Sequence, residues 1–384
     1  MARMARVELF APDEIAVVHV VSRVVRQTFL MGTDNKSGKN YDYRKTWIES
    51  QLERLAGLFG IDLLTFAILS NHYHLVLRSR PDVVQQWSDQ EVARRWMLLC
   101  PNRKHADGTA KEPNQAELNS IATDPEKLTE IRSRLSDISW WMRLINQRIA
   151  QRANFEDEAS GAFWQSRFHA VRLIDEEAIL ACSAYVDLNA IRAAVAGTLE
   201  DSEFTSVQRR IQSLLFDKSV DHTVDEESSS NLADAKSESR QGPIGEKSKT
   251  IGGQARKPPP SPDAFLSPVS IDELRDALGP QVHKSGTRCS DKGFLPMSST
   301  AYLELLDWTA RQLTAGKRGS TPLEAPPILE RLKLRPAVWL MLATEFGRLF
   351  SLIAGQPYHI DDHRGRQRNT RFHIPSATRE LLSA

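Results

Sequence analysis

Apolar residues in this chain gather into runs whose spacing alternates between strand-like and helix-like. Residues 15–22 (IAVVHVVS) are β-branched and almost unbroken, the pattern of a strand buried on both faces. From Tyr43 to Gly60 the positions Ile48, Leu52, Leu55 and Leu58 recur at helical spacing, and Gly60 stands where such a helix should stop. Residues 61–68 (IDLLTFAI) and 72–78 (HYHLVLR) predict two strands joined by a tight, polar Ser70-Asn71 turn. A weakly patterned helix is predicted over 83–100 and a polar insertion loop over 101–125. A long helix follows over 126–153, with Leu135, Ile138, Trp141, Met142, Ile145 and Ile149 on one side. Gly161 and the aromatic FWQSRF stretch lead into a fourth strand near 167–174. Asp175 is a plausible N-cap, and Glu176 and Glu177 suit the positive end of a helix running to about Ala196. The order β-α-β-β-α-β-α predicts an α+β fold, the ferredoxin-like split βαβ sandwich.

Beyond this point the pattern breaks. Residues 217–262 are rich in Ser, Glu, Lys, Asp and Pro and bury too little apolar surface to offset ordering, which predicts a flexible linker. Stretches 269–279, 299–314, 325–333 and 336–354 then read as helices, with Trp308, Trp339, Phe346 and Phe350 available for a small core. The expected organisation is therefore a domain over 8–197, the linker, a helical C-terminal domain over 265–357 and a basic tail over 358–384. That tail carries Arg364, Arg366, Arg368 and Arg371.

Composition changes this picture little. With 41% apolar and 26% charged residues the chain reads as globular. No run approaches the ~20 consecutive apolar residues of a membrane span, and the opening residues lack a signal peptide's apolar core. A cytoplasmic location is the expectation. Cys100, Cys182 and Cys289 are scattered, which excludes a disulfide framework and a CxxC zinc site. The formal charge is +1, and residues 1–200 carry 25 Lys+Arg against 26 Asp+Glu. Any nucleic-acid footprint must be a local patch made by folding.

Candidate chemistry centres on Asn71-His72-Tyr73-His74. Side chains alternate along a strand, so His72 and His74 share one face while Tyr73 serves the other. Two imidazoles about 7 Å apart along a strand can grip one cation if a third ligand approaches from elsewhere. About one chain in four of this composition holds such a pair by chance, so an ordinary pair on a strand face stays open. The second feature is Tyr185-Val-Asp-Leu-Asn189, where i and i+4 place the phenol and the carboxamide on one helical face. Asn189 offers a carbonyl oxygen as third ligand, and Tyr185 a nucleophile that needs help to shed its proton. The bland alternative is a half-buried tyrosine with an asparagine near a helix end. His19 reads as a packed strand histidine that can approach the site.

Taken together these residues become recognisable. AILSNHYHLVLR resembles the histidine segment of the single-tyrosine HUH transposases, the insertion-sequence 200/605 superfamily. GAFWQSRFHAVRLIDEEAILACSAYVDLNAIRAA resembles that family's second signature, nearest to the branch of REP-associated tyrosine transposases. The resemblance covers roughly residues 8–197, with Ser70 and Ala190 standing where the family pattern has proline. It implies an HUH endonuclease fold, His72, His74 and Asn189 as ligands of one divalent ion (Mg or Mn), and Tyr185 as the catalytic nucleophile. It further implies a transposase that cleaves and rejoins single-stranded DNA through a 5′-phosphotyrosine link, beside a hairpin, with a homodimer as a candidate working form. Arg23, Trp164, Gln165, Arg167 and Arg192 are candidate DNA contacts, with ion pairing and core packing as the competing readings. Two rival functions carry over with the fold: a host-adopted nucleic-acid-binding regulator, and a replication-type HUH nuclease. The second commonly carries a helicase segment, and no GxxxxGK(S/T) phosphate loop occurs here.

Overall fold

The computed structural model describes residues 5–25, 32–33, 38–216, 260–272, 274, 279–313, 326–367 and 371–383. A short turn, α1 (Arg6–Leu9), precedes β1 (Val17–Arg23), α2 (Arg44–Leu58), β2 (Ile61–Ile68) and β3 (His72–Ser79). Five helices then intervene: α3 (Pro81–Gln86), α4 (Asp89–Leu99), α5 (Gln115–Ala122), α6 (Pro125–Ser136) and α7 (Ile138–Glu156). The chain returns through β4 (His169–Leu173), α8 (Glu176–Asp187) and α9 (Asn189–Arg192). Later come α10 (Ser299–Leu313), α11 (Pro327–Arg331), α12 (Pro336–Leu349), β5 (Ile353–Ala354), α13 (Pro357–Gln367) and α14 (Ser376–Ser383).

The result is a mixed α+β architecture around a five-stranded sheet of order β2-β3-β1-β4-β5. β1 to β4 pair antiparallel, and β5 joins β4 in parallel. The alternation of β3 sorts its residues as the sequence predicts. Tyr73, Leu75 and Leu77 face α2 and α7, where the Tyr73 hydroxyl donates to Asn146 Oδ1 at 2.6 Å. His72, His74, Val76 and Arg78 point to the opposite face, which α8 covers. Helices on both faces account for β2 being buried at all eight positions.

The strands predicted over 15–22, 61–68, 72–78 and 167–174 lie within two residues of those observed. The helices differ more, and capping explains how. The 83–100 helix is divided, because Ser88 accepts from Glu91 N at 3.2 Å and starts α4 afresh. The 101–125 stretch is not loop throughout: Asn114 and Glu117 form a reciprocal capping box that opens α5. The 126–153 helix breaks at Asp137, which caps α7 by accepting from Ser139 N at 2.6 Å. The last helix of the predicted domain stops at Asp187 instead of near Ala196, and α9 follows.

Residues 1–208 and 265–384 pack as one compact unit, and 209–264 form another. The boundary drawn at 265 from the sequence therefore divides the chain but not the packing. This later sequence reaches both ends of the sheet: Ser267 N donates to Leu63 O at 2.9 Å along β2, beside the Ala67–Thr205 bridge, and β5 extends β4. Within the predicted 269–279 helix the described residues run irregularly. The predicted tail is helical in α13 and α14, joined by an Arg379–Asp361 ion pair at 2.9 Å. The linker predicted over 217–262 lies outside the described residues except for 260–262. No helix among the described residues is long and apolar enough to cross a membrane.

Candidate active site

His72 and His74 sit at the start of β3, and the register sets what surrounds them. Arg23 pairs with His72, Val21 with His74, and His19 with Val76, so His19 is the diagonal neighbour of His74 on the same face. The His72 and His74 rings lie 4.9 Å apart between centroids. Tyr185 reaches them from α8: its ring centroid is 5.7 Å from that of His74 and 6.1 Å from that of His19. The strand pair and the helical pair, 113 residues apart in sequence, thus meet within one chain.

The intervening residues of the Tyr185–Asn189 segment hold the helix in place. Val186 and Leu188 are core. Asp187 is buried, accepting from Val207 N at 3.1 Å, from the Tyr302 hydroxyl at 2.7 Å and from the Ser206 hydroxyl. At the other end Asp175 caps α8 through Ala178 N at 2.9 Å, as the sequence predicts. Asp175 also accepts from Gln356 N at 2.6 Å. The helix is therefore anchored at both ends, partly by residues beyond 300.

The ring nitrogens show what the site can bind. His72 Nδ1 lies 2.6 Å from Asn71 Oδ1; the carbonyl can only accept, so Nδ1 carries the proton and Nε2 keeps its lone pair. His74 Nδ1 lies 2.9 Å from His19 Nε2, and His74 Nε2 is buried with no hydrogen-bond partner. Burial, then the charge of Arg23, lowers His72 to about 4. Burial, with His169 nearby, lowers His19 to about 3, and burial with the neighbouring imidazoles holds His74 well below its ordinary value. All three rings are neutral at pH 7, as metal ligation requires.

Asn189 is buried, and its Nδ2 has no hydrogen-bond partner. Half a turn of the carboxamide would put the carbonyl oxygen in that place without changing its shape. Two neutral imidazoles, each with an Nε2 to offer, suit a divalent cation chemically, and the unsatisfied carboxamide one turn after Tyr185 is a third donor of the right kind. A cluster of three or more His, Cys, Asp or Glu side chains able to hold a metal is absent among the described residues. A third protein ligand would have to be of another residue type, and Asn189 offers a carbonyl oxygen.

The remaining sequence-selected residues divide. Arg192 lies over the Tyr185 ring, 4.1 Å from its centroid. Arg23 is exposed opposite His72, and Gln165 N donates to Arg23 O at 2.8 Å, which brings residue 165 alongside. Arg167 is exposed and lines a shallow pocket with Arg6, Phe168 and His169. Trp164 is turned to the other face: its N–H donates to Asn146 O at 2.8 Å and its ring meets Tyr73 edge-on at 5.6 Å. That is a packing role, and base stacking by Trp164 has no support from its position. Tyr73 is equally removed, since burial pushes its phenol up and its hydroxyl is engaged.

Two contacts escaped the sequence. The bond from His19 to His74 depends on register, which no local pattern reveals. Phe346 and Gly347 of α12 close over the phenol; the Phe346 ring is 6.0 Å from Tyr185, and a Cβ on Gly347 would stand 3.3 Å from the Tyr185 hydroxyl. Their only signal was the apolar face of a helix assigned to a separate domain.

No family model matches this chain, and no curated protein matches it. Among solved structures it is similar to one described as "Structure of the REP associates tyrosine transposase bound to a REP hairpin". The similarity covers 55% of this chain and 86% of that one at 10% identity, with a TM-score of 0.32. A superposition at that score establishes neither fold nor function.

Proposed function

We propose that this chain is a DNA transposase of the single-tyrosine HUH type, cutting and rejoining single-stranded DNA beside a hairpin. The strand order and antiparallel pairing of β1 to β4 support a ferredoxin-like split βαβ sheet as its core. One observation carries the reading: the Tyr185 ring stands 5.7 Å from that of His74, on the face where both histidines have Nε2 to offer. Their meeting within one chain supports a site built without a partner's tyrosine.

In this mechanism His72, His74 and Asn189 hold one divalent ion, Mg or Mn. Once bound, such an ion would polarise a non-bridging oxygen of the scissile phosphate. Tyr185 gives up its phenolic proton and attacks phosphorus; the bond to the 3′-oxygen breaks, and that oxygen takes up a proton. The products are a 5′-phosphotyrosine and a free 3′-hydroxyl, and attack by a 3′-hydroxyl reverses the step. Arg192, over the Tyr185 ring, is positioned to offset phosphate charge, and exposed Arg23 can guide the strand towards His72. The bond energy is conserved in the ester, so no nucleotide is consumed.

Labelled single-stranded DNA carrying the gene's flanking sequence, incubated with the protein and Mn²⁺, should give a covalent adduct. Chelator should abolish it, and so should Tyr185→Phe, which should still bind DNA. An adduct that survives Tyr185→Phe would remove the assignment.

A further inference from the structure

His19 makes no hydrogen bond to the Tyr185 hydroxyl and, in the reading above, does not ligate the cation. Its Nε2 nevertheless lies 2.9 Å from His74 Nδ1, deep in the sheet, with both residues buried. The ring planes are nearly parallel at 8°, and the centroids are 5.2 Å apart. That separation is the nitrogen–nitrogen distance plus one ring radius at each end. The two nitrogens therefore lie on the line joining the rings, so this is an in-line N–H···N bond. Two nitrogens converging on one shared ion would bring the centroids closer.

An in-line bond between two neutral imidazoles holds one proton. If it sits on His74 Nδ1, His74 Nε2 keeps its lone pair and His19 Nδ1 carries the other proton. If it sits on His19 Nε2, His74 must be protonated at Nε2 and cannot ligate there. Only the first arrangement suits a cation. Metal-bound histidines usually donate their second N–H to a carboxylate, a carbonyl or water, which fixes the tautomer and raises basicity. His72 has such an acceptor in Asn71 Oδ1. In the position where His74 needs one, the protein supplies another imidazole.

We propose that His19 is a positioning residue: it accepts the Nδ1–H of His74 and so holds the Nε2 lone pair of His74 ready for a divalent cation. This rests on reading His72 and His74 as cation ligands. It adds that the ligand set is supported from β1, by a residue outside the HxH motif. The fixed tautomer also fixes the orientation of the ring, because rotation of His74 would break the bond.

Mn²⁺ binding to the metal-free protein, followed by electron paramagnetic resonance, tests the proposal without measuring cleavage. His19→Leu, which cannot accept, should bind Mn²⁺ about 10–100-fold more weakly than wild type. His19→Gln, whose amide oxygen can take over the bond, should recover most of that loss, and His19→Met serves as the second non-accepting variant should the leucine protein fail to fold. ¹⁵N-resolved NMR of the Mg²⁺-loaded wild type should show His74 protonated at Nδ1. If His19→Leu and His19→Met bind Mn²⁺ like wild type while His74→Ala does not, the role of His19 is overturned and the ligand reading stands. If wild type binds no better than His74→Ala, the ligand reading falls and this inference with it. An Nε2–H on His74 in the Mg²⁺-loaded protein would also overturn it.

Discussion

The two ends of β3 hold buried polar clusters on the same face of the same strand, and the clusters are built on opposite principles. At one end, Asp62 of β2 receives Arg78 Nε at 2.9 Å, Arg80 at 3.0 Å and the Ser290 hydroxyl at 2.8 Å. The arginines spend their other donors on Gly293 O, Lys292 O, Pro280 O and Asp82. At the other end, four residues earlier, His74 Nε2, His19 Nδ1 and Asn189 Nδ2 are buried without partners. Leaving a buried polar group unpaired costs about 1–3 kcal/mol, so a folded chain keeps several together only where something else repays them. The closed end is satisfied within the chain; the open end carries the residues that the proposed mechanism would use.

The largest effect expected from this contrast lies at the closed end. Asp62→Ala leaves two buried guanidinium groups short of their shared carboxylate and should cost about 3–5 kcal/mol in denaturant unfolding. The fraction that remains folded should cleave DNA normally. A loss below about 1 kcal/mol would mean that the closed end is not what holds this part together. The same end should show acid sensitivity of one sign. Burial alone would raise Asp82, but hydrogen bonds and charge from Arg80 outweigh it and its pKa is lowered. Its contribution is thus complete above the ordinary carboxylate range and is lost as pH falls through the lowered value.

Next in size comes a bond that ties the late sequence to the site helix. The Tyr302 hydroxyl donates to buried Asp187, two residues from Tyr185, at 2.7 Å. Tyr302→Phe removes a donor from a buried carboxylate and should cost about 1.5–3 kcal/mol. Thermal unfolding measures it, and a single cooperative transition, shifted as a whole, is the form expected of one packed unit. A variant that melts only α10 onwards, with β1 to α8 unmoved, would restore the boundary at 265.

What the sequence could reveal divides along the same lines. The strands were legible because β-branched runs and alternation are local signals, and so were the Asp175 cap and the opposite sides taken by Tyr73 and His74. The helices were mis-sized where caps such as Asn114 and Asp137 hide in polar stretches. The pairing of the HxH strand with the Tyr185 helix was readable only as a joint pattern of two motifs. The bond between His19 and His74 required the register of β1 on β3, and α12 closing over Tyr185 required packing between residues more than 150 positions apart. A linker-like stretch at 217–262 made the later sequence look independent, although composition alone cannot say whether the parts it joins pack together.

The third effect falls on binding and leaves stability nearly unchanged. His74→Leu replaces a buried ring whose Nε2 has no partner with an apolar side chain, next to apolar Val21 and Ala67 across the strands. The unpaired Nε2 is removed, but buried His19 Nε2 loses its partner, so the two offset and stability should stay within about 1–2 kcal/mol of wild type, while Mn²⁺ binding and the DNA adduct disappear. Equilibrium unfolding beside a binding measurement reads both. If this variant is destabilised as severely as Asp62→Ala, the histidine end is architecture too and the contrast dissolves.

The smallest effect probes the lid over the phenol. Gly347 lies in α12, two residues after Glu345, whose φ of −114° and ψ of 15° mark a kink. A Cβ at Gly347 would stand 3.3 Å from the Tyr185 hydroxyl, tighter than carbon and oxygen prefer, so the phenol must give by a few tenths of an ångström. Alanine also favours helix over glycine by up to about 1 kcal/mol, an advantage that the kink reduces. The two effects oppose each other in stability, and Gly347→Ala should unfold within about 0.5 kcal/mol of wild type. They do not oppose each other in chemistry. An error of 1 Å in the position of a reacting group can cost about 100-fold, so a displacement of tenths should slow adduct formation several-fold without altering Mn²⁺ affinity. An unchanged cleavage rate would show that the phenol leaves its place under α12 before it reacts, and that α12 opens in the catalytic cycle.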